Sequence, residues 1–213
     1  MNAPVVLVRP DAEAEDSAKR RQIIHGARAV FLSMGFDGAS MGEIARAARV
    51  SKGTLYVYLK DKDELFKAIA AKECVFQAEG IFSFDEADPD VAAVLMRVFT
   101  GYLKAICEPG RHSSLRAVIA IADRMPEVGQ MFYQAGPAVG LARTRAYLEA
   151  EVAAGRLVIP DCEIAAAQLI ESSHATLFKP MLFNFAPTPP TPERIEYVVG
   201  IAVKAFLAAY GKK

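Results

Sequence analysis

Residues 40–62, SMGEIARAARVSKGTLYVYLKDK, contain the side chains best placed to do chemistry. The spacing of their apolar residues predicts two short helices joined by a tight turn, and the second helix is small and polar. Its exposed face is expected to carry Lys52, Thr54, Tyr56 and Tyr58, with Lys62 just beyond it. Hydroxyl and ammonium groups without a catalytic pair suit a nucleic-acid surface better than an active site.

The charge distribution favours the same interpretation, although the net charge of the 213 residues is zero. Residues 17–67 hold ten Lys and Arg against five Asp and Glu, and the rest of the chain carries the balancing negative charge. A local excess of positive charge is the electrostatic signature of a surface that binds nucleic acid. A solvated basic face explains the excess equally well, so the charge alone does not decide.

Composition argues against several other classes of protein. The sequence has no apolar run of the ~18 residues that a membrane span needs, and acidic residues after the patch VVLV argue against a secretory signal. Cys74, Cys107 and Cys162 are isolated, which fits a reducing cytoplasm and offers neither a disulfide framework nor metal-ligand spacing. The three histidines are scattered and no nucleophile motif occurs, so we expect neither an enzyme nor a bound cofactor or metal.

The periodicity predicts an all-α chain of about nine helices. Residues 1–16 are expected to be a flexible tail, residues 17–67 a helix-turn-helix domain, and residues 68–213 a larger helical domain. The later helices are predicted over residues 88–107, 112–125, 126–154 with a disturbance at Gly136-Pro137, 163–185, and 192–210.

Local signals define the helix ends of the first domain. Its first helix is expected to run from Ser17 to Gly35, where glycine permits the chain to leave the helix. Ser40 and Glu43 have the spacing of a capping box, which predicts the start of the second helix. Ser51 is expected to cap the third helix, which presents its N-terminal end to the surroundings.

The last two long helices are more apolar than the surface of a monomer requires. Either they line the core of one chain, or they form a four-helix interface between two copies, which we favour. Pro180 is expected to bend helix 163–185, because it has no N–H to donate to the Thr176 carbonyl. The predicted interface residues are Ile170, Leu177, Met181, Ile195, Val199, Ala202 and Phe206.

The sequence ARAVFLSMGFDGASMGEIARAARVSKGTLYVYLKDKDELFKAI closely resembles the N-terminal DNA-binding domain of the TetR/AcrR family of bacterial transcriptional regulators. The match covers residues 17–67. The segment MPEVGQMFYQAGPAVGLARTRAYLEAEVAAGRLVIPDCEIAAAQLIE resembles an AefR-like or AcrR-like C-terminal domain, which implies effector binding and dimerisation. The resemblance also implies double-stranded DNA as a partner.

The resemblance assigns the helix over 51–58 to the major groove of DNA. It implies that Lys52 reaches a base edge or a phosphate, that Gly53 permits close approach, and that Tyr56 contacts bases or backbone. The full set of implied DNA-binding residues is Ser40, Ser51, Lys52, Gly53, Thr54, Tyr56, Tyr58 and Lys62, among which Ser40, Tyr58 and Lys62 would hold phosphates.

Three positions depart from the family pattern. Several members carry a long polar or basic side chain at the position of Gly42 and use it to read a base. Residue 57 is Val in place of a polar ring, and residue 59 is Leu in place of the usual aromatic. Base discrimination is therefore expected to depend on Lys52, Tyr56 and DNA shape.

The leading hypothesis is a cytoplasmic homodimeric repressor of a palindromic operator, released by a small apolar effector. An activator, a DNA-binding protein without an effector, and a helical interaction module stay open as alternatives. Aromatic residues, Met and a few polar groups in the second domain are candidates for the effector pocket, and ordinary core packing is the alternative for each. These candidates are Phe99, Tyr102, Leu103, His112, Ile121, Met125, Phe132, Tyr147, His174 and Phe178.

Overall fold

The computed structural model describes residues 10–212, with the side chains of 10–17, 70–79 and 111 outside the description. Within this range the chain forms eleven helical segments and no strand, apart from an isolated bridge between Leu157 and Gly211. The prediction of an all-α fold is therefore confirmed.

The first of two compact units extends to Ile69. It contains α1 (Pro10–Gly38), α2 (Met41–Ala47), α3 (Lys52–Tyr58) and the start of α4 (Lys62–Ile81). Residues 1–9 of the predicted tail lie outside the described residues. Residues 10–16 are helical, which corrects the predicted start at Ser17, because Pro suits the first helical position and Ala and Glu are strong helix formers. Gly35, at φ 71°, interrupts α1 where we predicted its end.

Close packing between α1 and α2 fixes the first unit. A Cβ atom on Gly26 would lie 2.6 Å from the backbone of Ala48, so this helix contact requires glycine. The Gln22 side-chain amide donates a hydrogen bond of 2.6 Å to the Ala48 carbonyl. Phe66 packs edge-on against the rings of Phe31 and Phe36, with ring centroids 5.2 Å away in both cases.

The second unit begins at Ala70 and has its own core. Its helix α11 packs against α5 and α9, while α8 packs against α7 and α9. Fully buried residues at the centre of this core include Val94, Leu95, Phe99, Leu103, Leu148 and Val199. The helices after α4 are α5 (Val91–Ile106), α6 (Arg111–Ile121), α7 (Pro126–Ala135), α8 (Pro137–Ala153), α9 (Cys162–Ser173), α10 (Phe178–Leu182) and α11 (Pro192–Tyr210).

Two of the predicted helices are divided in the structure. Gly136 has non-helical dihedral angles and separates α7 from α8, as the predicted disturbance at this point indicated. A turn between α9 and α10 divides residues 163–185, and Thr176 within it has a φ of 66°. The expected bend at Pro180 was wrong, because Pro180 lies in the first turn of α10, where no N–H is needed for the helix.

The residues that cap helices were predicted more accurately than the points at which helices are interrupted. The Thr191 hydroxyl accepts a hydrogen bond of 3.3 Å from the Arg194 N–H, and Pro192 occupies the first position of α11, as expected.

Glu151 is fully buried in α8 and pairs with Arg156 through two hydrogen bonds. A buried carboxylate needs such a partner, because an unpaired charge there would be strongly destabilising.

Candidate nucleic-acid interface and cavity

Helix α3 has a buried side and an exposed side. Leu55 and Leu59 are almost completely buried and hold the helix against the first unit. Lys52 and Gly53, at its N-terminal end, are exposed, and Tyr56 is 52% exposed. Because the apolar side is used for packing, the polar side is available to a large partner such as a DNA groove.

Ser51 fixes the N-terminal end of α3. Its hydroxyl accepts a hydrogen bond of 2.9 Å from the Thr54 N–H, which confirms the predicted cap. The hydroxyls of Ser51 and Thr54 are also hydrogen-bonded to each other at 2.8 Å. The two hydroxyls therefore act as a pair, so replacing either one also alters the local bonding of the other.

Ser40 is tied to Glu43 rather than available at the start of α2. Its N–H and hydroxyl both donate to the Glu43 carboxylate, at 2.9 Å and 2.7 Å, and its hydroxyl oxygen accepts from the Glu43 N–H at 3.2 Å. These bonds from Ser40 hold the pKa of Glu43 below its ordinary value. The capping box is confirmed. The phosphate contact of Ser40 stays a prediction, and a phosphate there would have to compete with the Glu43 carboxylate for the Ser40 N–H and hydroxyl.

Lys62 has partners within the first unit. Its ammonium group donates hydrogen bonds of 2.7 Å to the Phe36 carbonyl and 3.1 Å to the Ala39 carbonyl, and it lies 4.3 Å from the centre of the Phe36 ring. An ammonium has three N–H donors, so at most one remains for a phosphate. The structure thus gives Lys62 a packing role that the sequence did not predict.

Gly42 leaves room for the Lys52 side chain. A Cβ atom on Gly42 would lie 3.0 Å from Lys52 Cε and 3.3 Å from its Nζ atom. The ammonium of Lys52 therefore lies against the same part of α2 where other family members are expected to place a long side chain. Lys52, from α3, therefore occupies the space beside Gly42, and its role as a base reader stays a prediction.

Two further residues complete the exposed side of the helix-turn-helix. Tyr58 is half-buried and has its own interactions. Val57 is 81% exposed, which is unusual for a large apolar residue, and it was absent from our predicted site. The spacing of Leu55 and Leu59 could have identified it, since both are buried and residue 57 lies between them. A valine here can contact a thymine methyl group.

A cavity of about 600 Å³ lies within the second unit. Four of the ten predicted effector residues line it, namely Tyr102, Phe132, His174 and Phe178. The other six are not in its wall, and all six are buried. These six, for which core packing is the better description, are Phe99, Leu103, His112, Ile121, Met125 and Tyr147.

The sequence missed several residues of this cavity. Phe82 supplies an aromatic ring to the wall, and Gly140 leaves room for it, since a Cβ atom there would lie 2.7 Å from that ring. Glu171 and Lys179 also border the cavity. Only the tertiary fold brings these residues together, because they come from distant parts of the chain.

The predicted interface requires a correction. Five of its seven residues are buried inside a single chain, where they have no surface to offer a partner: Met181, Ile195, Val199, Ala202 and Phe206. Ile170 and Leu177 are partly buried against the same core. These residues therefore belong to the core of one chain, which was the alternative to an interface between two copies. The apolar side of α11 packs on α5 and α9.

Large apolar residues are nevertheless exposed on the opposite sides of α9 and α11. Ile164 on α9 is 56% exposed, and Tyr197 and Ile201 on α11 are 60% and 53% exposed. Tyr197 and Ile201 are four residues apart, so they lie on one face of the helix.

Other classes of site find no support in the part of the chain that the structure describes. Within it, no helix is long and apolar enough to cross a membrane. Nor do its His, Cys, Asp and Glu side chains form a group that could hold a metal ion.

The fold and its exposed helix-turn-helix define a class of bacterial regulator. Residues 23–69 match the family described as bacterial regulatory proteins, tetR family, and residues 93–212 match the AefR-like transcriptional repressor C-terminal domain. The chain belongs to the TetR family of transcriptional regulators, as its sequence resemblance indicated.

Individual relatives agree with this assignment. The HTH-type transcriptional repressor Rv1474c of Mycobacterium tuberculosis is 39% identical over 57 residues, which are 27% of this chain and 30% of that protein. The chain thus spans about a third of the length of the curated relatives it matches.

Solved structures match over nearly the whole chain. A TetR-family regulator from Mesorhizobium loti has a TM-score of 0.82 at 28% identity, covering 92% of this chain and 98% of that one. The flavonoid-responsive regulator FrrA has a TM-score of 0.77 at 27% identity, covering 92% of this chain and 99% of its own.

Proposed function

We propose that this protein is a homodimeric repressor that binds a palindromic operator through α3 and is released by a small, largely apolar effector. The observation that carries the proposal is the exposed polar side of α3, with Lys52 and Tyr56 presented and Leu55 buried beneath them. A single α-helix of this kind fits the major groove.

A dimer would place two such helices on successive turns of the major groove, about 34 Å apart. The exposed residues Ile164, Tyr197 and Ile201 supply an apolar face for this association. Light scattering after size-exclusion chromatography tests the assembly. Ile201→Glu should give a monomer, whereas Val158→Glu, which changes another exposed apolar residue, should leave the dimer intact.

Operator binding can be tested with DNA that flanks the protein's own gene, in a fluorescence anisotropy titration. Lys52→Ala and Tyr56→Ala should each weaken binding by about 1–3 kcal/mol. Lys104→Ala removes a charge from the second unit and should have little effect. Unchanged affinity in both α3 variants would disprove the assignment of the reading surface.

Release by an effector requires that the effector bind the DNA-free state more tightly than the DNA-bound state. The apolar cavity of the second unit is the site that we propose for it, and FrrA, a relative of similar fold, is named as flavonoid-responsive. A reporter gene in cells with and without the protein distinguishes repression from activation, since loss of a repressor raises expression. We place this activity in the cytoplasm, where the DNA is accessible.

A further inference from the structure

The wall of the cavity is built largely of rings and aliphatic side chains. Phe82, Phe132 and Phe178 contribute rings from three separate parts of the chain, and Ile106 and Leu115 also line the cavity. A volume of about 600 Å³ is within the range of cavities that enclose a small organic molecule. This wall favours an aromatic ligand, because flat rings pack efficiently against other rings.

Two polar side chains interrupt this wall at one place. Tyr102 comes from α5 and His174 directly follows α9, and their ring centroids are 6.1 Å apart. Among the described residues, none forms a hydrogen bond with the Tyr102 hydroxyl. The Nε2 atom of His174 is 3.8 Å from the Glu171 carboxylate, which is too far for a hydrogen bond. A ligand oxygen at this point would therefore find both a donor and an acceptor.

Neither of these groups is charged near neutral pH. Burial raises the pKa of Tyr102 and lowers the pKa of His174 from its ordinary value of 6.5. The charged residues of the wall, Glu171 and Lys179, have opposite signs and are exposed. An anionic ligand would lose its hydration without gaining a buried cation, which is unfavourable.

We propose that the cavity binds a neutral, mainly aromatic molecule that carries a hydroxyl or carbonyl oxygen hydrogen-bonded to Tyr102 and His174. This inference rests on the proposed effector site and adds the chemical class of the effector. The aromatic wall determines how the rings lie, and the polar pair determines which end of the molecule points toward α5 and α9.

Three probes that share one naphthalene ring system separate the chemistry, namely naphthalene, 2-naphthol and 2-naphthoate, each titrated into the full chain by calorimetry. We expect 2-naphthol to bind about tenfold more tightly than either of the others, since it alone is both neutral and able to hydrogen-bond. Equal affinity for naphthalene and 2-naphthol, or tightest binding of 2-naphthoate, would overturn the proposal.

Two variants place the hydrogen bond. Tyr102→Phe keeps the ring and removes the hydroxyl, so it should weaken 2-naphthol binding about five- to tenfold and leave naphthalene unaffected. Tyr133→Phe is the matched control, because Tyr133 is 57% exposed and is absent from the wall of the cavity. An unchanged affinity of Tyr102→Phe for 2-naphthol would contradict the proposal.

The operator titration separates this inference from the proposed function. If no probe binds while DNA binding is intact, the ligand class is wrong and the DNA-binding function stands. If 2-naphthol binds as expected but has no effect on DNA affinity, the inferred ligand chemistry is supported and release by a ligand of this class in this cavity is refuted.

Discussion

Replacing Lys62 would measure how strongly a single side chain stabilises the helix-turn-helix. Its two hydrogen bonds to the carbonyls of Phe36 and Ala39 join the start of α4 to the last turn of α1 and to the residue that follows α1. Lys62→Met keeps the aliphatic stem and removes the ammonium group. It leaves two carbonyl oxygens without their charged donor and also loses the contact with the Phe36 ring.

The size of the effect follows from these contacts. A hydrogen bond to a charged group contributes about 1.5–3 kcal/mol, and a cation–π contact at a partly exposed site adds about 0.5–1 kcal/mol. Because Lys62 is only half-buried, water can hydrogen-bond to the carbonyl oxygens that lose the ammonium group. We therefore expect the free energy of unfolding of the first unit to fall by about 2–4 kcal/mol, less than the sum of these contributions.

Amide hydrogen exchange of the full chain is the suitable measurement, since it reports the opening of the first unit separately from the second. A loss of 2 kcal/mol should accelerate exchange in α2 and α3 about thirtyfold. Lys60→Met removes a charge from an exposed position nearby and is the control. Exchange in Lys62→Met no faster than in this control would refute the structural role.

Three other substitutions or conditions test separate parts of the structure. Gly42→Ala should weaken operator binding in anisotropy titrations, because the added Cβ displaces the Lys52 side chain. It should not lower stability to urea, because Ala favours the helix. Full affinity for the operator would show that the position of the Lys52 side chain does not matter for DNA binding. Gly26→Ala should destabilise the first unit by about 1–3 kcal/mol in hydrogen exchange, because its Cβ would lie 2.6 Å from the backbone of Ala48, directly after α2. Protection equal to that of the wild type would contradict this close packing. Burial lowers the pKa of His112 and His174 below 6.5, so the unfolded state binds more protons as the pH falls through this value. The free energy of unfolding should therefore decrease between about pH 7.5 and about pH 5.5, and replacing both histidines by Phe should reduce this slope in urea titrations.

The features that the sequence predicted correctly are those that depend on residues close together in the chain. The Ser40–Glu43 capping box and the Ser51 cap involve groups three residues apart, so their geometry follows directly from the spacing. The bonds of Lys62 were not predictable, because its partners lie 26 and 23 residues away and meet it only in the tertiary fold.

Burial on α11 illustrates a different limit. Helical periodicity identifies an apolar face, but it does not show whether the same chain or a second copy covers that face. Ile195 and Val199 are covered by their own chain, while Tyr197 and Ile201 are exposed. The lining of the cavity was predicted only in part for a related reason. Aromatic residues in the sequence indicate candidates, but packing determines which of them face the empty space.

The contact between Gly42 and Lys52 has an evolutionary consequence. A long side chain at residue 42 and the lysine at residue 52 would compete for one volume, since even a methyl group at 42 approaches Lys52 Cε to 3.0 Å. Related regulators should therefore carry one or the other, and the two positions should covary. A lineage could exchange one arrangement for the other in two substitutions and acquire a new operator preference while the rest of the helix-turn-helix is inherited unchanged.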